Sequence, residues 1–192
     1  NKDYTVTPTW FDNKITSIQN EYRQENRNSS FVADFGFVNG YKNDNRSHLF
    51  VNYELDLNLE KYARSDLFIK VEQVSNDTYL GVFEPHITKS QARPRSFNVM
   101  ENTARIELTH ENYSFSSGFH SYENLKTSKS SDRYQYILPY YNFDRILSKN
   151  YLNGTVSINS TGNNDLNETN VLKTQIINNI NYTGFDIIND FG

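Results

Sequence analysis

Residues 49–60 read LFVNYELDLNLE. In an extended chain Leu49, Val51, Tyr53, Leu55, Leu57 and Leu59 share one face, and Phe50, Asn52, Glu54, Asp56 and Asn58 share the other. Strict alternation over eleven residues exceeds the usual globular strand of about 5–6 residues. It matches the roughly 9–11 residues that a tilted strand needs to cross a bilayer. One face is built for an apolar medium and the other for a polar one. The expected membrane-facing residues are therefore Leu49, Val51, Tyr53, Leu55 and Leu57, and the expected lumen-facing residues are Asn52, Glu54, Asp56 and Asn58.

The same period recurs along the chain. Phe31, Ala33, Phe35 and Phe37 alternate with Val32, Asp34, Gly36 and Val38. Leu67, Ile69 and Val71 alternate with Phe68, Lys70 and Glu72, and Tyr113, Phe115, Ser117 and Phe119 with Ser114, Ser116, Gly118 and His120. Leu152, Gly154, Val156 and Ile158 form another face, and Leu172, Thr174, Ile176, Asn178, Ile180 and Tyr182 a long one near the end. The pattern predicts about ten strands. Their connections are short, as at 12–14, or long and polar, as at 39–47, 84–96 and 125–132. No amphipathic helix of useful length is expected.

The composition agrees. Hydrophobic residues make up 36% of the chain and aromatic residues 15%, with 14 Tyr and 13 Phe beside one Trp and one Met. Disorder would call for few aromatic and β-branched residues. A net charge of −4 without a basic block argues against a nucleic-acid partner. The absence of cysteine removes disulfides, thiolate catalysis and Cys-type zinc sites. No apolar run approaches the roughly 18 residues of a transmembrane helix. The chain begins without Met in a strand-like pattern (DYTVTPTW) and finishes in another (FDIINDFG), which predicts an excerpt of a larger protein. The whole span, 1–192, reads as one partial barrel domain, all-β and antiparallel, open as an excerpt. A large antiparallel sandwich or soluble sheet alternates in the same way and stands as the competing architecture.

Residues 132–143, DRYQYILPYYNF, carry five aromatic residues and a proline inside a strand pattern. Tyrosine joins an apolar ring to a polar tip and suits a membrane–water boundary. Tyr134, Tyr136 and Tyr140 are expected to share a face as interfacial aromatics, with Pro139 at a strand end, an edge or a bulge.

Little in the chain suggests catalysis. His48, His86, His110 and His120 have no partner at ligand spacing and read as surface or lumen residues rather than ligands. No nucleotide-binding, zinc-protease or serine-hydrolase motif is present. Glu54 and Asp56 stand about 7 Å apart on one strand face, without a nucleophile or site motif to make them an acid–base pair. No catalytic residue, cofactor or metal is expected.

Several segments together resemble the LptD family of lipopolysaccharide-assembly outer-membrane proteins, also called organic-solvent-tolerance proteins. They are DYTVTPTWFDNKITSIQNEYRQ, VEQVSNDTYLGVF, SDRYQYILPYYNF and NYLNGTVSINSTGNNDLNETNVLKTQIINNINY, in that order over nearly the whole chain. The resemblance implies the N-terminal part of a very large barrel that inserts lipopolysaccharide into the outer leaflet of a Gram-negative cell outer membrane. It also implies outer-membrane lipid, a plug lipoprotein (LptE-like) and a periplasmic bridge protein (LptA-like) as partners. Pro8 matches the family's early-strand proline by its T-x-T-P context, and only Pro8 carries over as a lateral-gate residue. The family's cysteines have no counterpart here. Two competing readings are a generic outer-membrane channel or receptor and a secreted carbohydrate-binding or adhesion domain.

Overall fold

The computed structural model describes residues 1–184 apart from positions 13, 43, 88, 89 and 130. The strand-like pattern at 185–192 lies outside the described residues. Alternation of apolar and polar side chains, with few helix-compatible stretches, yields ten strands: β1 (Lys2–Trp10), β2 (Thr16–Glu25), β3 (Ser29–Tyr41), β4 (Asp44–Asp56), β5 (Arg64–Val74), β6 (Val99–Thr109), β7 (Tyr113–Asn124), β8 (Tyr134–Tyr151), β9 (Gly154–Asn167) and β10 (Leu172–Gly184). A single turn of helix, α1 (Tyr79–Phe83), and a 3-10 turn (Glu84–His86) lie between β5 and β6.

Every strand pairs antiparallel with its neighbour in sequence, giving one ten-stranded meander that does not close on itself. β1 and β10 are its open edges. Connections at 26–28, 57–63, 110–112 and 152–153 lie at one end of the sheet, and those at the other end include the long segment 75–98 and the segment 125–133.

Directly paired residues share a face, so the register sorts the side chains. One face is apolar: Ile18 opposes Phe37, Phe35 opposes Leu49, Val51 opposes Val71, and Leu55, Leu67 and Ile106 run in line. Phe115 opposes Phe143, and Ile158 opposes Ile180. The other face is polar: Glu21, Asp34, Phe50 and Glu72 run in line, as do Asn142, Thr161 and Ile177.

The core sits on the polar face. Val32, Val38 and Phe50 project there and are covered by Tyr79, Leu80, Phe83, Ile87 and Ala92 of the 75–98 segment, hereafter the strap. Met100 and Leu125 complete it where β6 begins and β7 ends. The apolar face stays bare: Trp10, Ile18, Phe37, Leu49, Phe119, Ile176 and Ile180 are all exposed.

Three local expectations need correction. The polar stretch 39–47 is not a long connection, because β3 runs to Tyr41 and β4 starts at Asp44, with Tyr41 opposite Asp44. Its Asn and Asp residues resemble loop composition, but a ladder bonds through backbone groups and tolerates polar side chains at a strand end. β4 stops at Asp56, so Leu57 and Asn58 lie beyond the strand, and Asn58 has a positive φ of 49°. Tyr140 does not share a face with Tyr134 and Tyr136. Between Gly118↔Tyr140 and His120↔Ile137 the register of β8 gains one residue, a bulge that spans Leu138 and Pro139 and inverts the phase beyond it. Proline has no N–H for a ladder and is at home in such a bulge.

Candidate functional site

Two features of this sheet invite a functional reading: the strap on the polar face and the proline on the edge strand. The strap begins with a turn in which the Asn76 side-chain oxygen accepts from the Thr78 N–H at 3.0 Å and its hydroxyl at 2.8 Å. Asx turns of this kind start a helix where the preceding strand stops. α1 then presents Tyr79, Leu80 and Phe83 to the sheet, spaced so that all three reach one side of a single helical turn.

The Tyr79 hydroxyl lies 2.7 Å from Nδ1 of His48, and Nε2 of His48 lies 3.0 Å from Oδ1 of Asp34. The carboxylate can only accept, so Nε2 carries a proton, and in the neutral imidazole Nδ1 accepts from the phenol. All three side chains are buried, and the imidazole stacks on Phe50 at 4.5 Å. Burial, with the Asp34 charge nearby, pushes the Tyr79 phenol up, so it remains a donor throughout the neutral range. This chain of polar groups is closed off from solvent. Its effect is to pin the strap.

Further ties run along the strap. Arg46 donates to the Thr78 hydroxyl at 3.0 Å, Gln19 to the His86 carbonyl at 2.8 Å, and Asn52 to the Gln91 carbonyl at 3.2 Å. The His86 ring meets Phe11 edge-on at 4.7 Å. At the strap's start, Arg133 binds both oxygens of Asp77, at 2.9 and 2.5 Å, and also Glu123 at 2.7 Å. The guanidinium holds the Asp77 carboxyl below its ordinary range.

Of the residues expected to face a lumen, Asn52, Glu54 and Asp56 are on the polar face, and Asn52 is taken up by the strap. Leu49, Val51, Tyr53 and Leu55 are on the apolar face. Tyr134 and Tyr136 are on that face as well, with ring centroids 6.3 Å apart. Tyr140 is on the polar face, stacked on His120 at 4.9 Å.

Pro8 lies inside β1, opposite Ile18. Asn1 and Glu25 exchange both backbone hydrogen bonds, and Phe11 donates to Ile15 further along the same ladder. Bonded and non-bonded pairs alternate in an antiparallel ladder, so the odd-numbered residues of β1 bond to β2 and the even-numbered ones aim their backbone groups at the open edge. Pro8 thus takes its missing donor from the open edge and leaves the β1–β2 ladder intact.

No protein-family model, curated protein or solved structure matches this chain. Among the described residues, no group of three or more His, Asp or Glu is arranged to hold a metal ion. Sequence reasoning missed the roles of His48, Asp34, Arg133 and Tyr79. The only local signal was their presence as polar residues within apolar patterns, and each acts through a partner at least ten residues away.

Proposed function

We propose that this chain is part of a transmembrane β-barrel of a Gram-negative outer membrane, and that the barrel passes lipopolysaccharide into the outer leaflet. The observation that carries the reading is the inverted sheet: an apolar face left bare across ten antiparallel strands, and a polar face that holds the folded strap. In a bilayer the bare face meets acyl chains, which suit it, and every backbone group is satisfied within the ladder once the sheet closes.

Aromatic residues support the bilayer reading. Toward the end with the short connections, Tyr22 and Phe31 lie 6.0 Å apart on the apolar side, Phe31 and Tyr53 6.3 Å, Tyr62 and Tyr113 6.1 Å, and Tyr113 and Phe143 6.3 Å. Toward the other end stand Trp10, Phe37, Tyr134 and Tyr136. Two aromatic bands flanking an aliphatic zone are what the boundaries of a bilayer favour.

Lipopolysaccharide joins a bulky saccharide to acyl chains. Its saccharide suits a polar lumen, and its acyl chains require a lateral way out to lipid. Pro8 supports an exit at β1, because a strand closing against that edge finds one donor fewer, a loss of about 1 kcal/mol. A plug lipoprotein and a periplasmic bridge protein are the partners that this role calls for. A generic channel is the second reading, favoured by the strap itself, which would narrow a lumen as a constriction does.

The test uses the full-length protein in membranes, with a photo-crosslinking residue at Leu55, Asp56 or Thr7. Phospholipid captured at Leu55 and lipopolysaccharide at Asp56 and Thr7 is the expected result. Protein alone captured at Leu55, with nothing at the other two, rejects the membrane reading. Lipid at Leu55 without lipopolysaccharide at Asp56 or Thr7 favours the channel.

A further inference from the structure

The strap divides the polar face in two. Over β2 to β5 the polar-face residues Ser17, Gln19, Asp34, His48 and Glu72 are buried beneath it or at its margin, Thr103 of β6 is the last of them, and Glu25, Glu54 and Asp56 at the far end of the same strands stay exposed. Among the described residues, no polar-face side chain from β7 to β10 is buried. The two halves also differ in chemistry. The covered half holds paired charges, such as Lys70 with Glu72 and Glu101 at 2.7 and 2.9 Å. The open half is mostly amides and hydroxyls, with Ile137, Ile146 and Ile177 among them: Ser116, Asn142 and Thr161 lie in line across the sheet, and Tyr140, Asn163 and Gln175 form the next row.

The two carboxylates within the open half are already engaged. Asp144 accepts from Asn159 at 2.7 Å, and Asp165 accepts from Gln135 at 3.1 Å and opposes Lys173 across the ladder. Beside these rows stands a row of parallel rings: Tyr140 stacks on His120 at 4.9 Å, and His120 on Tyr122 at 5.8 Å. Side-chain amides offer a donor and an acceptor side by side, the arrangement that meets the neighbouring hydroxyls of a sugar. Aromatic rings meet the C–H faces of the pyranose ring. A phosphate or a cation would need unpaired charge, and this half has little to give.

We infer that the polar face of β7–β10 is a track for uncharged sugar residues, and that the strap keeps saccharide off the part of β2–β5 beneath it, around Asp34, His48 and Glu72. The inference rests on the reading of this face as a lumen surface. It adds the side of the lumen that the saccharide follows and the kind of sugar that suits it. Many exposed, individually weak contacts along a path let a chain bind and also move on, as multi-site conduits require.

The test uses the full-length protein in lipid nanodiscs and neutral dextran oligosaccharides as the probe, read by saturation-transfer NMR. The combined variant Tyr140→Ala, Asn142→Ala and Asn163→Ala is expected to weaken dextran binding at least about fivefold, given roughly 1 kcal/mol for the lost hydrogen bonds. Asn178→Ala, on the opposite face of β10, is expected to leave it unchanged. Binding is expected to stay constant from about 0.05 to about 0.5 M salt, because no ion pair is involved. A photo-crosslinking residue at Asn142 reports without depending on the combined variant, and it is expected to capture dextran where one at Asn178 does not. Equal binding by the combined variant, equal capture at Asn142 and Asn178, or loss of binding with salt overturns the track. The same nanodiscs carry a crosslinker at Val51. Lipid captured at Val51 with no difference between Asn142 and Asn178 rejects the sugar track alone. No lipid at Val51 rejects the bilayer reading and the track with it.

Discussion

Tyr79 and His48 join the strap to the sheet: the phenol donates to Nδ1 at 2.7 Å in a site closed to solvent. The hydrogen bond also defines the histidine's role, since the other ring nitrogen is committed to Asp34. Removing the phenol oxygen leaves a buried acceptor unpaired. Tyr79→Phe is therefore expected to loosen the strap by about 1–3 kcal/mol. His48→Ala is expected to cost more, about 3–5 kcal/mol, because the buried Asp34 carboxylate loses its partner. Tryptic cleavage after Arg95, which is exposed on the strap, measures both. Cleavage should accelerate in the order wild type, Tyr79→Phe, His48→Ala, and equal rates would show that the pin does not hold the strap.

Arg133 and Asp77 give the strap a dependence on pH. The folded-state pKa of Asp77 is lowered from its ordinary value of 3.8, chiefly by the hydrogen bonds from Arg133. A lowered carboxylate pKa means stability that is fully present above the ordinary value and lost as the pH falls below it. Asp77→Asn is therefore expected to lower the thermal midpoint at neutral pH by a few degrees, with the difference shrinking once the pH drops below about 4. The effect is modest because the Asp77 side chain is 44% exposed and solvent screens the pair. Circular-dichroism melts of the two proteins at pH 7, 5 and 3 decide it (a difference that grows toward low pH contradicts the assignment).

Gly40 has φ of 87°, and a Cβ there would run into the carbonyl oxygen of Lys14. Gly40→Ala is expected to destabilise the protein by about 1–3 kcal/mol, from the left-handed backbone and the collision together. Gly81, within α1, has open space where a Cβ would go. Gly81→Ala is expected to be neutral or stabilising by up to about 1 kcal/mol. Melting temperatures of the pair should move in opposite directions or differ clearly, and a loss in Gly81→Ala would mean that α1 is not helical.

Pro8 offers a test of the edge. Pro8→Val restores an N–H aimed away from β2 without disturbing the β1–β2 ladder, in which Pro8 holds a non-bonded position. On the proposed role, a seam with one more hydrogen bond opens less readily. Lipopolysaccharide delivery is expected to slow by about fivefold, with folding and abundance of the protein unchanged. Delivery at the wild-type rate would remove Pro8 from the gate.

Alternation is a local property. It follows from side chains pointing to opposite sides of an extended backbone, so the all-β class, a count of about ten strands and the two faces of β4 are legible in residues such as Leu49, Val51, Asn52 and Glu54. Tyr140 shows where that reading ends: one extra residue beside Pro139 inverts every position beyond it, and an extra residue is seen only against the strand it pairs with. The open-edge direction of Pro8 depends on which pairs in the ladder are bonded, which a single strand does not specify. Residues 84–96 read only as a long polar connection, and Tyr79, Leu80 and Phe83 just before them have no periodic partner in sequence to mark them as core. Their partners are Val32, Val38 and Phe50, brought near by the register of β3 and β4. The sequence by itself determined which side of an unbroken strand such as β4 prefers water. Only the tertiary structure decided which part of the polar side is covered, because burial there depends on contacts between residues far apart in the chain.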